Sequence, residues 1–239
     1  MSPKSLQNCA VITGDIVRSR RLSGPEFEKA QESIRRGGTA IREHFPAEVP
    51  LPIELFRGDS WQLLVTEPAR ALRIALYLRA FLRAEADVDT RFAIGVGPID
   101  AIPSAGVAAG RGEAFRLSGA MLDWKVATSM RFAVAGGIPD NAHDLLANPG
   151  EETAAERDAR AISVALLILD IVARNWTSPQ ARAVCGALFD GTQEKIAESW
   201  PGEPITQQAV GQHLARAGWD GVHEALDFYE DTVGRWGSK

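Results

Sequence analysis

The chain has 239 residues, 45% of them hydrophobic and 24% charged, with 26 basic against 31 acidic side chains and a net charge of −5. This composition excludes global disorder and low complexity, and at roughly 100–200 residues per domain it allows one large domain or a medium one with a small companion. The acidic balance gives no whole-molecule attraction for nucleic acid or an anionic membrane, so any such binding must be local.

Residues 9–16, Cys-Ala-Val-Ile-Thr-Gly-Asp-Ile, are a short apolar run ending in Gly14-Asp15, the pattern of a buried strand whose C-terminal end delivers a carboxylate. Ser23-Gly-Pro-Glu then opens a helix with cap, proline and first-turn acid in order. Phe27, Ile34, Ile41 and Phe45 carry it to about Phe45, across a weak point at Gly37-Gly38. Residues 53–56 and 61–65 are β-rich runs separated by Arg57-Gly-Asp-Ser60, which predicts a hairpin with Asp59 at its tip. From Pro68 a helix presents Leu72, Ala75, Leu76, Leu78, Phe81 and Leu82 to a core and Arg70, Arg73, Arg79 and Arg83 to solvent. Residues 91–97 are a fourth strand. The order β-α-β-β-α-β predicts an α+β fold of ferredoxin-like or palm type, with one mostly antiparallel sheet and two helices on one face.

Beyond Gly106, Gly110 and Gly112, residues 113–127 read as a helix and 131–135 as a strand. Residues 148–160, with Pro149-Gly150 and six charges, read as a linker, and 161–174 as a strongly apolar helix. The expected division is a palm domain over 1–150, a linker and connecting helix over 151–175, and a small all-helical domain over 176–239. In the last, Trp176-Thr-Ser-Pro-Gln opens a helix through Leu188. Residues 192–200 and 206–216 form two more around a turn at 201–204. Ile196, Ala197, Val210 and Leu214 are spaced as the contacts of a helix-turn-helix. Thr206, Gln207, Gln208 and Gln212 then lie early on a DNA-reading helix, where glutamine pairs with adenine edges. A helical bundle that contacts protein suits the same spacing. Charge favours that alternative, because residues 176–239 hold five Lys/Arg against nine Asp/Glu and duplex binding depends on neutralising phosphates.

Compartment follows from absent signals. The run 161–172 is interrupted by Asp170 and is shorter than the roughly 18 apolar residues of a spanning helix. The apolar stretch after Gln7 is too short for a signal peptide. A cytoplasmic protein without a membrane partner is expected, with Cys9 and Cys185 as reduced thiols and no zinc spacing among its four histidines.

Asp15 and Asp59 are the candidate chemistry. A palm makes the first strand and the hairpin neighbours in one sheet, so both carboxylates can reach one edge. Two such oxygens suit a hard cation, Mg2+ or Mn2+, with the Ile16 carbonyl as a third ligand. Arg18, Ser19 and Arg20, with Arg21 beside them and the N–H groups of a loop after a strand, suit phosphate. The alternative is that Gly14-Asp15 and Gly58-Asp59 are turn residues capping their own backbone.

Val11-Ile-Thr-Gly-Asp-Ile-Val-Arg-Ser-Arg20, Phe56-Arg-Gly-Asp-Ser-Trp-Gln62, Arg91-Phe-Ala-Ile-Gly-Val-Gly97 and Gly112-Glu-Ala-Phe resemble the SatD family. More distantly they resemble class III nucleotidyl cyclases and GGDEF diguanylate cyclases, over about residues 9–135. The resemblance implies metal-binding roles for Asp15 and Asp59, a nucleotide-like ligand, a homodimer and a helix-turn-helix after the first domain. The chain departs from cyclases where they carry a transition-state Asn and Arg, since Arg116 and Ala120 stand there, and Leu55 stands for the base-reading Lys. Arg116 or Arg111 is the available substitute cation for phosphate. Two readings follow, a regulator that binds nucleotide without turnover and an active nucleotidyl cyclase-type enzyme. Gly58-Asp-Ser60 with Asp220-Gly-Val-His223 also resembles GDSL-type hydrolases, a third reading in which Ser60, His223 and Asp220 form an esterase triad.

Overall fold

The computed structural model describes residues 6–123, 129–134 and 154–236. Strand β1 (Leu6–Ile16) is the middle strand of a five-stranded sheet ordered β2-β3-β1-β4-β5. Its apolar residues are nearly continuous because both faces are covered: Ala10 and Ile12 enter a large core, Cys9 and Val11 a smaller one on the opposite face. Strands β2 (Glu54–Phe56) and β3 (Ser60–Val65) make the hairpin, with Arg57 and Gly58 at positive φ in its turn. Strand β4 (Thr90–Ile99) lies antiparallel on the other side of β1, and β5 (Met130–Val134) pairs parallel with β4. The first four strands stand in the order a palm requires, within a mixed α+β architecture to which β5 adds a parallel edge.

Helix α1 (Gly24–His44) starts at a capping box in which the Glu26 carboxylate accepts from the Ser23 N–H at 2.8 Å. Gly37 and Gly38 are close-approach positions rather than a weak point. A Cβ on Gly37 would lie 2.8 Å from Leu78 of α2 (Ala71–Ala86), and one on Gly38 would lie 2.1 Å from Ile53. Together α1 and α2 cover the face carrying Ile12, Leu63 and Ile94. Helix α3 (Glu113–Asp123) covers the other face, where Gly95 lets its backbone reach the sheet and Thr13 and Ser118 share a hydrogen bond of 2.9 Å. The expected continuation of this helix, 124–127, and residue 135 of the expected strand lie outside the described residues.

Among the described residues five helices follow: α4 (Ala154–Ala173), α5 (Ser178–Leu188), α6 (Gln193–Glu198), α7 (Gln207–Arg216) and α8 (Trp219–Gly234). Residues 154–160, expected in the linker, are the first turns of α4; residues 148–153 lie outside the described residues. Helix α4 packs on β5, α5 on α2, and α8 on α2 and the turn Pro68–Arg70, so one buried cluster runs from β1 to Val233.

This outer layer corrects the expectation for α2. Arg73 and Arg79 do not face solvent but are 5% and 1% exposed, because Leu188 of α5 and Glu230 of α8 close over Arg73 and Asp170 of α4 closes over Arg79. Arg73 pairs with Glu230 at 2.7 Å. Arg79 holds both oxygens of Asp89, at 2.7 and 2.9 Å, and donates to Asp170 at 2.8 Å. Asp170 also accepts from the Ser129 N–H at 2.9 Å and from Arg174. The acid inside an apolar run is therefore the buried counter-charge that ties α4 to α2 and to the residue before β5.

Candidate functional site

Antiparallel register places Asp15 opposite Ser60 of β3 and opposite Arg91 of β4. Directly opposed residues share a face, so the Arg91 guanidinium meets the Asp15 carboxylate with Nε donating to Oδ1 and Nη2 to Oδ2, each at 2.6 Å. The end of β1 is fixed from beneath. Trp61 Nε1–H donates to Thr90 Oγ1 at 2.9 Å, and the Thr90 hydroxyl donates to the Asp15 carbonyl at 2.6 Å. Gly14 is required by that arrangement, since a Cβ there would lie 2.4 Å from the Trp61 ring and 2.7 Å from the Arg91 carbonyl oxygen.

The hairpin turn is tied to β1 and to α1: the Ile16 N–H donates to the Asp59 carbonyl at 3.1 Å, and Gln31 Nε2 donates to the Gly58 carbonyl at 2.6 Å. The chain leaving β1 passes through Arg18, in the left-handed region at φ 59°, into a single 3-10 turn, Ser19–Arg21. There the Ser19 hydroxyl donates to Asp59 Oδ2 at 2.5 Å. Two N–H groups of this loop are used internally, Arg21 on the Arg18 carbonyl and Leu22 on the Ser19 carbonyl.

These pieces enclose an open cavity of about 420 Å³ lined by Asp15, Ile16, Arg18, Ser19, Arg20 and Asp59, with Arg21 and Arg91. Every metal and phosphate residue expected from the N-terminal half of the motif set is therefore in one place. Four guanidiniums face two carboxylates around it, an excess of two positive charges. Arg18, Arg20 and Arg21 are exposed and make no ion pair among the described residues. The hydrogen bond to Asp15 leads the causes that hold the Arg91 guanidinium above its ordinary value, with the charges of Asp15, Asp123 and Asp59 adding to it against partial desolvation.

The donor set does not fit a divalent ion as it stands. Both oxygens of Asp15 are occupied by Arg91, one oxygen of Asp59 by Ser19, and among the described residues no three His, Cys, Asp or Glu side chains cluster as metal ligands. Arg91 supplies the counter-charge that Mg2+ or Mn2+ was expected to supply. Sequence reasoning passed over Arg91 because only the strand register puts it beside Asp15.

Arg111 and Arg116 are not brought to this cavity. Arg111 accepts from the Asp100 N–H and Gly112 bridges Ile99, eight residues along β4 from Arg91 and thus about 26 Å away at a strand rise of about 3.3 Å. Arg116 is exposed and pairs with Glu113 of its own helix at 2.5 Å. The glycine-rich loop lies at the far end of β4 because that strand runs on to Ile99.

At the C-terminal helices, Thr206 caps α7, its hydroxyl accepting from the Ala209 N–H at 3.1 Å, while Gln207, Gln208 and Gln212 are exposed. Helices α6 and α7 pack on each other and on α5. The esterase triad is not assembled: Ser60 is paired opposite Asp15 in the sheet, whereas His223 is half exposed on α8 and pairs with Asp227 at 3.3 Å. Both cysteines are free thiols, and burial pushes that of Cys9 up. No described helix is long and apolar enough to cross a membrane. A larger cavity, about 730 Å³ between α1 and residues 46–55, carries none of the expected site residues.

No family model and no curated protein matches the chain. Solved structures give weak matches. The monomeric guanylyl cyclase domain of a RhoGC fusion protein from the aquatic fungus Blastocladiella emersonii is similar over 50% of this chain and 76% of that one, with 16% identity and a TM-score of 0.41. The guanylate cyclase domain of RhGC from Catenaria anguillulae, in complex with GTP, is similar over 50% and 74%, with 16% identity and a TM-score of 0.39. A bacterial light-regulated adenylyl cyclase is similar over 53% and 75%, with 14% identity and a TM-score of 0.40. Scores of this size do not carry the fold, which rests on strand order and register.

Proposed function

We propose that the palm-like half of this protein binds a nucleotide-like phosphorylated ligand in the Asp15–Asp59 cavity, and that the helices after α4 deliver the response of a cytoplasmic regulator. The observation that carries this reading is the set of guanidiniums, Arg18, Arg20 and Arg21, that make no ion pair among the described residues and stand around a cavity with excess positive charge. Guanidinium forks match phosphate oxygens in geometry and charge. In this reading Arg18, Arg20 and Arg21 hold the phosphates, Asp59 orients the Ser19 hydroxyl, and Asp15 orients Arg91. Titration of the full chain with nucleoside triphosphates, followed by melting temperature and heat, tests it. Stabilisation that grows with ligand concentration is expected, and no shift for any triphosphate overturns the reading.

A second reading, an active nucleotidyl cyclase-type enzyme with Mg2+ or Mn2+ at Asp15, Ile16 and Asp59, is favoured by the two carboxylates sharing one cavity. It requires Arg91 to release Asp15.

For the C-terminal half the proposal is a helix-turn-helix, in keeping with the SatD resemblance, that contacts DNA through Thr206, Gln207, Gln208 and Gln212 in a homodimer. Exposure of the three glutamines supports it. The five basic against nine acidic residues of 176–239 favour protein contact as the other output. Duplex affinity that falls steeply with salt supports the DNA reading; no affinity at low salt leaves the protein reading.

A further inference from the structure

A second cavity, of about 460 Å³, lies beside the first and is walled by Arg18 and Arg21 of the loop after β1, Arg83 and Asp87 at the end of α2, Asp89 before β4, and Arg174 after α4. Four guanidiniums again face two carboxylates. The acids organise the cations more than they neutralise them. Asp89 gives both oxygens to Arg79 at 2.7 and 2.9 Å and reaches Arg83 only at 4.0 Å, while Asp87, 78% exposed, meets Arg83 at 3.2 Å. Arg174 is anchored from behind by the buried Asp170, through Nε to its carbonyl and Nη2 to its carboxylate. Its Nη1 makes no hydrogen bond among the described residues. A guanidinium has five N–H donors, so Arg83 and Arg174 are held in place with donors to spare. Arg18 and Arg21 carry no acidic partner at all among the described residues.

We infer that this second cavity is an anion site for a phosphoryl group, distinct from the Asp15–Asp59 cavity and built between the palm and the end of α4. Arg174 stands just before α5, so an anion held there touches both the sheet layer and the connection to the C-terminal helices. Arg18 and Arg21 line both cavities, whereas Arg20 lines only the first and Arg83 and Arg174 only the second. An anion in one cavity therefore neutralises charge the other uses, and the two weaken each other reciprocally. That antagonism, unlike the site itself, rests on the reading of the first cavity as a ligand site.

Calorimetric titration of the full chain with inorganic pyrophosphate at low salt tests the inference. Two binding events are expected. Arg83→Gln weakens one of them about tenfold and spares the other, and Arg20→Gln does the reverse. Arg174→Gln serves as the second variant, because Asp170 keeps Arg79 and the Ser129 N–H, and melting curves verify that each variant is folded. Saturation of the first cavity with a nucleoside triphosphate is expected to weaken the Arg83-dependent event; independence overturns the antagonism. A single event abolished by Arg20→Gln and untouched by Arg83→Gln and Arg174→Gln overturns the second site while leaving the first. A single event with the opposite dependence overturns the first and supports the second. Absence of pyrophosphate binding overturns both.

Discussion

Removing the Arg91 side chain asks what balances the Asp15 carboxylate. The pair makes two charge-assisted hydrogen bonds of 2.6 Å, with Asp15 17% and Arg91 40% exposed. Hydrogen bonds to charged groups contribute about 1.5–3 kcal/mol when buried and exposed ion pairs only about 0.2–1 kcal/mol, so this half-buried pair is worth about 1–2 kcal/mol. In a chain of this size each kcal/mol moves the melting temperature by about 2–4 °C, so Arg91→Ala is expected to melt roughly 2–8 °C lower. Asp15→Asn should cost less, because Arg91 can turn to water whereas Asp15, once alone, stays largely enclosed. Arg91→Ala should also bind nucleoside triphosphate more weakly, one of four guanidiniums being gone, and should gain stabilisation from Mn2+ that the unmodified protein lacks. Melting curves with and without MnCl2, and a double-mutant cycle with Asp15→Asn, read all three effects. Equal stabilisation of wild type and Arg91→Ala by Mn2+, or no coupling in the cycle, refutes the view that Arg91 serves as the site's cation.

Asp170→Asn leaves Arg79 with Asp89 alone and is expected to cost about 3 kcal/mol in denaturant unfolding, as breaking a buried pair does. Burial pushes the Asp170 carboxyl up, but the Ser129 N–H, the Arg79 charge and hydrogen bonds from Arg79 and Arg174 outweigh it and hold the group below its ordinary 3.8. Its contribution is therefore present above that value and lost as pH falls through the lower folded value. Acid unfolding curves of wild type and Asp170→Asn should converge there, and a constant gap would count against the assignment. Gly95→Ala on β4 puts a Cβ 2.4 Å from the Ala114 carbonyl oxygen and should cost about 1–3 kcal/mol, whereas Gly119→Ala on α3 meets open space and should be neutral or stabilising. Gln208→Ala with Gln212→Ala should lower duplex affinity without changing melting temperature, since both side chains are exposed; unchanged affinity removes α7 as the reading element.

Strand order was legible because each early strand carries its own period and the turn Arg57-Gly-Asp sets the hairpin. The same logic placed Asp15 and Asp59 together, since neighbouring strands bring their ends to one edge. It failed for Arg73 and Arg79, which helical periodicity assigns to water until Glu230 and Asp170 arrive from far along the chain. Asp170 was visible as an interruption in an apolar run, but its role needed a partner 91 residues away. Arg91 was hidden for a similar reason: its meaning comes from register with Asp15, and local sequence does not specify register. Arg111 and Arg116 were misplaced because the distance from β4's start to its end is invisible in motif order.

Calorimetric titration of the 239-residue chain and of Arg20→Gln with nucleoside triphosphates tests the central claim most directly, because Arg20 lines the Asp15–Asp59 cavity and not the second one. Saturable binding by the wild type, weakened about tenfold in the folded variant, is the predicted result, a loss of about 1.4 kcal/mol for one charge-assisted phosphate contact. Binding of equal strength in both proteins, or none in either, would contradict a phosphate-binding role for the loop that follows β1.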